Sequence, residues 1–125
     1  MGWNDFSLAA VGCWYENDDG SSRQLELAEC RPGDKLELVR QPDNPHDPLA
    51  VAIVTESGTC VGFLKRDRAA WIAPKIDRGF PINVIVERVK GLHLEGATLG
   101  LVMRLNMEGE EPELPAGLAA AKRAA

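Results

Sequence analysis

Nowhere in the chain do about twenty apolar residues run together, the length a helix needs to cross a bilayer, so no membrane-spanning helix and no membrane partner are expected. The opening segment, MGWNDFSLAAVGCWYE, lacks a basic flank and carries Asp5 early, unlike a secretory leader. Ser7 stands one place too late for the myristoylation pattern that Gly2 would begin. Cysteine is scarce, and Cys13, Cys30 and Cys60 form an odd set without CxxC or CxxH spacing. A closed zinc site draws four ligands, usually in two close pairs, whereas His46 and His93 stand alone. No metal or other cofactor is therefore expected, and scattered, reduced thiols fit a cytoplasmic chain.

Net positive charge is also missing. The formal charge is -5 and the pI is near 5.0, the reverse of a typical nucleic-acid binder. The acids are concentrated in the loop 17–19 and in the run MEGEEPE, however, and one segment reverses the balance. Between Phe63 and Arg78, Lys65, Arg66, Arg68, Lys75 and Arg78 face only Asp67 and Asp77. Such a face can steer a polyanion, or it can be the solvated side of a helix.

What the chain does contain is short apolar segments separated by strong turn chemistry. Phe6–Tyr15 reads as a strand, closed by ENDDGSS. RQLELAEC, residues 23–30, fits either a strand or one or two helical turns. RPGD at 31–34 is a turn with Pro32 pre-set in φ and Gly33 free to take positive φ. KLELVR, 35–40, alternates as a strand does. Leu49–Thr55 and Cys60–Leu64 flank Ser57-Gly58 as a hairpin. From Asp67 the period changes: Ala69, Ile72, Ala73 and Ile76 make one helix face. Pro74 should kink or break that helix, and Gly79 should end it. Ile82–Val89 and Ala97–Asn106 complete the strands, joined by a hairpin loop over 91–96 that holds His93, to which no role is assigned. About six short strands and one interrupted helix predict a small closed or nearly closed barrel. Residues 6–106 form the domain, and 107–125, acidic then Ala-rich, read as a flexible tail.

One stretch stands out, QPDNPHDPLAV at 41–51. Asn and Asp make Asx-turns and proline stiffens them, so NPHDP is good turn chemistry in its own right. It also pre-organises a carboxylate, Asp47, at small entropic cost on binding. Arg40, at its edge, can pair with Asp43 or Asp47 or meet a phosphate. Trp14 can be core or platform, since apolar rings drive burial first. Trp71 beside the apolar helix face reads as the edge of the core.

Residues 31–74, RPGDKLELVRQPDNPHDPLAVAIVTESGTCVGFLKRDRAAWIAP, resemble the core of the HIRAN domain family, with VGCWYEN as its first strand. The resemblance extends from about Phe6 to Asn106. It implies a mainly β fold with one or two short helices, a six-stranded OB-like barrel. Such domains stand at the front of fork-remodelling helicases and occur as small freestanding bacterial and phage proteins, the form this chain is similar to. In the helicases the domain grips the free 3′ end of single-stranded DNA, while zinc and ATP chemistry belong to neighbouring domains. By that resemblance Asp47 accepts a hydrogen bond from a 3′-hydroxyl, and Asn44 caps the corner or donates to the nucleotide. His46 stacks on a base from the place where tyrosine is usual, and Trp14 and Tyr15 lie on a stacking strand. Lys65 and Arg66 take the phosphate side, with Arg40 and Phe63 completing the site. Leu49 replaces an amide, Phe63 a histidine and Trp14 an arginine.

Three readings stand on these residues. The first is a nucleic-acid-binding module for a single-stranded DNA end, in repair, replication or a mobile element. The second is a regulatory module that keeps the barrel without the pocket and meets a protein partner through its acidic tail, which could also mimic DNA. The third, a hydrolase using Asp43, His46 and Asp47, is disfavoured, because one proline-locked turn does not converge carboxylates on two metal ions and no nucleophile–base–orienter set is visible. The chain is not expected to be an enzyme.

Overall fold

The computed structural model of the protein describes residues 4–114. Six strands and two helices follow in order: β1 (Phe6–Val11), α1 (Arg23–Glu29), β2 (Lys35–Arg40), β3 (Val51–Thr55), β4 (Cys60–Leu64), α2 (Arg66–Asp77), β5 (Asn83–Lys90) and β6 (Gly100–Asn106). The strands close into an antiparallel barrel in the order β1-β4-β3-β2-β5-β6. This is the mainly β, six-stranded, OB-like barrel expected, with its two short helices. Its interior is packed by side chains that alternate inward along the strands. Val51 and Ile53 from β3, Val61 from β4, Val86 from β5, and Leu101, Met103 and Leu105 from β6 are fully buried. Leu27 of α1 and Ile72 of α2 join the same cluster from outside the strands.

Several boundaries differ from the sequence reading, each for a local reason. The first strand stops at Val11, because Gly12 turns left-handed (φ 71°) and Tyr15 N–H donates to Gly12 O, 3.2 Å. Trp14 and Tyr15 are therefore in a turn and not on the strand. Residues 23–29 are helical: Ser22 Oγ accepts from Leu25 N–H as an N-cap, and Leu27 supplies the buried face. The strand expected from Leu49 begins at Val51, since Ala50 N–H and C=O are taken by Asp47 O and Gln41 N–H of the corner. The strand expected from Ala97 begins at Gly100, because Leu99 gives its N–H and C=O to the Gln24 side chain of α1. Gly33 takes φ 91° in its turn and donates to Val86 O, 2.7 Å.

Pro74 does not break α2, which runs unbroken from Arg66 to Asp77. The missing N–H would have met the carbonyl of Ala70, and both residues lie on the exposed side, where water can take the freed carbonyl. The helix ends in a Schellman arrangement: Gly79 N–H donates to Ile76 O and Phe80 N–H to Lys75 O, both 3.0 Å. Trp71 lies at the edge of the core as expected, 47% exposed with its ring 5.8 Å from Phe6.

The first part of the acidic segment lies along the barrel. Asn106 Oδ1 accepts from Glu108 and Glu110 N–H, and Gly109 N–H donates to Pro81 O. Asp5, just before β1, accepts from Asn106 Nδ2 (2.9 Å) and from Glu113 N–H (2.8 Å). The Ala-rich end expected to be flexible lies outside the described residues.

Candidate nucleic-acid interface

The corner is built before it meets any ligand. Asn44 Oδ1 accepts from His46 N–H (2.9 Å) and Asp47 N–H (3.2 Å), and its Nδ2 donates to Gln41 Oε1 (3.0 Å). The amide thus caps the loop as an Asx-turn residue does. Asp47 Oδ1 accepts from Leu49 N–H, 2.9 Å, while Oδ2 faces Arg66 Nε at 3.6 Å. The carboxylate is one-fifth exposed, and Oδ2 keeps acceptor capacity toward solvent. Arg40 fixes the corner from behind. Its Nε donates to Asp77 Oδ1 (3.0 Å), and Nη1 donates to Pro48 O (2.9 Å) and Ala50 O (3.2 Å). Its carboxylate partner is therefore Asp77 of α2, not Asp43 or Asp47.

In front of the corner, an open groove of about 930 Å³ runs across the barrel rim. Tyr15, Asn44, His46, Asp47, Phe63 and Arg66 all line it. Six of the nine residues selected from the sequence are thus brought together. Arg40 is behind the corner, and Trp14 and Lys65 lie outside the lining. Trp14 is 67% exposed and packs its edge against Tyr15, with ring centroids 5.8 Å apart. Lys65 is exposed and forms the N-cap position of α2 without a side-chain cap bond.

The structure adds a residue that the sequence did not single out. Arg23, from the start of α1, lies over the Phe63 ring at 5.2 Å. It donates to Gly12 O and to Asn17 Oδ1, each at 2.7 Å. This orients Phe63 and places a cation in the groove wall. Arg23 and Phe63 are forty positions apart, and no short-range pattern connects them. Asp18 and Asp19 also line the groove. The Asp19 carboxyl is held below its ordinary range by hydrogen bonds from the Ser21 hydroxyl (2.6 Å) and N–H (2.9 Å), so it stays anionic.

The groove wall is mixed: the Tyr15 and Phe63 rings, the Arg23 and Arg66 guanidinium groups and the carboxylates of Asp18, Asp19 and Asp47 all contribute to it. An open aromatic groove on the rim of a small closed barrel defines a binding module. The particular family follows from the sequence: the chain belongs to the HIRAN domain family, whose pattern matches residues 4–99. Among solved structures, the HIRAN domain of human HLTF superposes with a TM-score of 0.62 at 20% identity, covering 82% of this chain and 73% of that one. A protein from Lactobacillus plantarum superposes with a TM-score of 0.58 at 22% identity, covering 82% of this chain and 98% of that one. At those identities the likeness is one of fold. No curated protein sequence matches the chain.

Proposed function

We propose that this domain is a nucleic-acid-binding module whose groove takes the free 3′ end of a single DNA strand. The observation that carries the reading is the grouping of Tyr15, His46 and Phe63 with Arg23, Arg66 and the pre-set Asp47 carboxylate in one groove. Rings of this kind stack on bases whatever their sequence, at about 1–3 kcal/mol per base. Arg66 supplies a cation at the N-terminus of α2, whose first N–H groups lack a side-chain cap and favour an anion.

The distribution of charge favours an end over a passing strand. A strand running through would lay a phosphate against Asp18, Asp19 and Asp47. A strand that stops there presents an uncharged hydroxyl, which can donate to Asp47 Oδ2. A terminal phosphate would instead bring like charge to that carboxylate.

Fluorescence anisotropy with short labelled strands tests the reading. A free 3′-hydroxyl should bind at least tenfold tighter than a 3′-phosphate. Asp47→Ala should erase that preference, and Arg66→Ala should weaken both strands alike. Equal binding of the two ends by the wild type would exclude end recognition. No binding of either at low salt, where electrostatics are strongest, would leave the barrel as a protein-interaction module.

A further inference from the structure

The outer face of α2 carries rings and cations that the groove does not use. Gly79 takes φ 79° and turns the chain back at the end of the helix, so that Phe80 N–H donates to Lys75 O at 3.0 Å. This returns the Phe80 ring to the helix surface beside Lys75, the contact that a Schellman end brings about. The Lys75 ammonium lies 5.1 Å from the Phe80 centre and 5.7 Å from that of Trp71. The Arg78 guanidinium lies 5.6 Å from the Phe80 centre, and Phe6 extends the cluster at 5.8 Å from Trp71. Trp71 and Phe80 both remain exposed.

This face is turned away from the groove. Arg66 and Asp77 fall on one side of α2, where they reach Asp47 and Arg40 of the corner. At about 100° per residue, Arg68, Trp71 and Lys75 are centred about 160° round the helix from that side. Among the described residues, no carboxylate pairs with Arg68, Lys75 or Arg78. Asp77 is taken by Arg40, and Asp67 stands in the first turn. Residues 115–125 contain Lys122 and Arg123 and no acidic side chain, so they bring no complement either.

Cations so placed call for an anionic occupant, and the rings decide which kind. Single-strand binders stack bases on open ring faces. Here Lys75 lies over Trp71, whose ring also meets Phe6, and both Lys75 and Arg78 lie over Phe80. Such rings offer edges to aliphatic side chains, and the cations over them turn N–H groups toward carboxylates. Tryptophan beside arginine is also the pairing that anchors protein interfaces. We propose that the outer face of α2 docks an acidic segment of a partner protein, its carboxylates on Arg68, Lys75 and Arg78 and an apolar side chain between Trp71 and Phe80. Arg68 and Arg78 are ten residues apart, about 15 Å along the helix, a span that about five extended residues cover. The face and the corner lie on opposite sides of the helix, so a partner here leaves the groove free, and the proposal does not rest on what the groove binds.

The experiment measures anisotropy at low salt with a labelled synthetic peptide, Glu-Asp-Leu-Glu-Leu-Asp-Glu. A second peptide with serine in place of both leucines keeps the charge. A 12-nucleotide oligothymidylate and phosphatidylserine vesicles supply the other classes of anion. The leucine peptide should bind at least tenfold tighter than the serine peptide. Lys75→Gln/Arg78→Gln should weaken it at least tenfold while leaving strand binding in the groove unchanged. Trp71→Ala should bring the leucine peptide down to the level of the serine peptide. Thermal melts check each variant, and Phe80→Ala repeats the ring test at the end of the helix in case Trp71→Ala loosens the barrel.

No binding of the leucine peptide, or binding that ignores Lys75→Gln/Arg78→Gln, would overturn the docking face. Equal binding of the serine peptide would overturn it too, by reducing it to charge attraction alone. If Lys75→Gln/Arg78→Gln cost the oligothymidylate as much affinity as the peptide, the cations would belong to nucleic acid. If they cost the vesicles as much, the cations would belong to a membrane surface, and either result overturns the proposal. A wild type that binds the peptide and no strand would sustain the face and remove the groove reading. A strand held in the groove with no peptide bound would do the opposite.

Discussion

Within the corner, Asn44 and Arg40 have structural tasks before functional ones. Asn44 is spent on capping and Arg40 on anchoring, while Asp47 Oδ2 lies 3.6 Å from Arg66 Nε and retains acceptor capacity. The sequence made the turn legible because Asn, Asp and Pro act on neighbours two or three places away. It could not show that Arg40 reaches Asp77, thirty-seven positions on, or that Arg23 covers Phe63. Cysteine reactivity follows from the same residue-by-residue reading. Burial raises the Cys13 thiol above its ordinary value and pushes Cys30 up to about 11, aided there by the carboxylates of Glu26, Asp34 and Glu29. Iodoacetamide at pH 8 should thus label Cys60 and spare Cys13 and Cys30 in the folded protein. Cys60 also lines the groove, so a bound strand should slow its labelling severalfold, as read by intact mass. For Cys30 the folded value lies above the unfolded 9.0, and the folded state holds its proton longer. Stability from this group is complete below pH 9 and is lost as pH rises toward 11. Urea midpoints across that window should fall in the wild type and fall less in Cys30→Ala.

Among the elements, strand and helix identities were legible wherever a period of two or of 3.6 ran for several residues. The ends were not, because they are set by partners distant in the chain. β6 starts late since Gln24 takes the backbone of Leu99, and β1 stops early since Gly12 turns away. Pro74 is the instructive case. Proline in a helix interior removes a hydrogen bond and usually costs about 3 kcal/mol or more, yet α2 continues because its inner face is buried against the barrel through Ala69, Ile72 and Ala73. Tertiary packing outweighs local propensity there. Pro74→Ala restores an N–H opposite Ala70 O at an exposed position and should raise stability by about 2 kcal/mol in urea titration, the helix cost of proline less the entropy it removes from the unfolded chain. The opposite result is expected where β4 meets the end of β1. A Cβ on Gly62 would stand 3.0 Å from Val11 O and 3.1 Å from Cys13 Sγ. Gly62→Ala should cost about 1–3 kcal/mol by overpacking. It should also weaken strand binding, because it pushes the turn bearing Tyr15 away from Phe63.

Taken as a whole, the molecule is tied at one end of β1 and open at the other. The Asp5 side chain is fully buried and faces Arg104 Nε at 3.8 Å, while Arg104 Nη1 also meets Glu87 at 3.5 Å. About 20 Å of strand separates this cluster from the groove. Removing one member of a buried pair costs about 3–5 kcal/mol, so Asp5→Ala should lower the melting temperature while end selectivity persists in the folded fraction. The same residue holds the acidic segment to the barrel: Glu113 N–H donates to Asp5 Oδ2, and earlier in the segment Gly109 N–H bonds Pro81 O. None of the segment's described acids lines the groove, so the net charge of -5 does not describe the surface a strand would meet there.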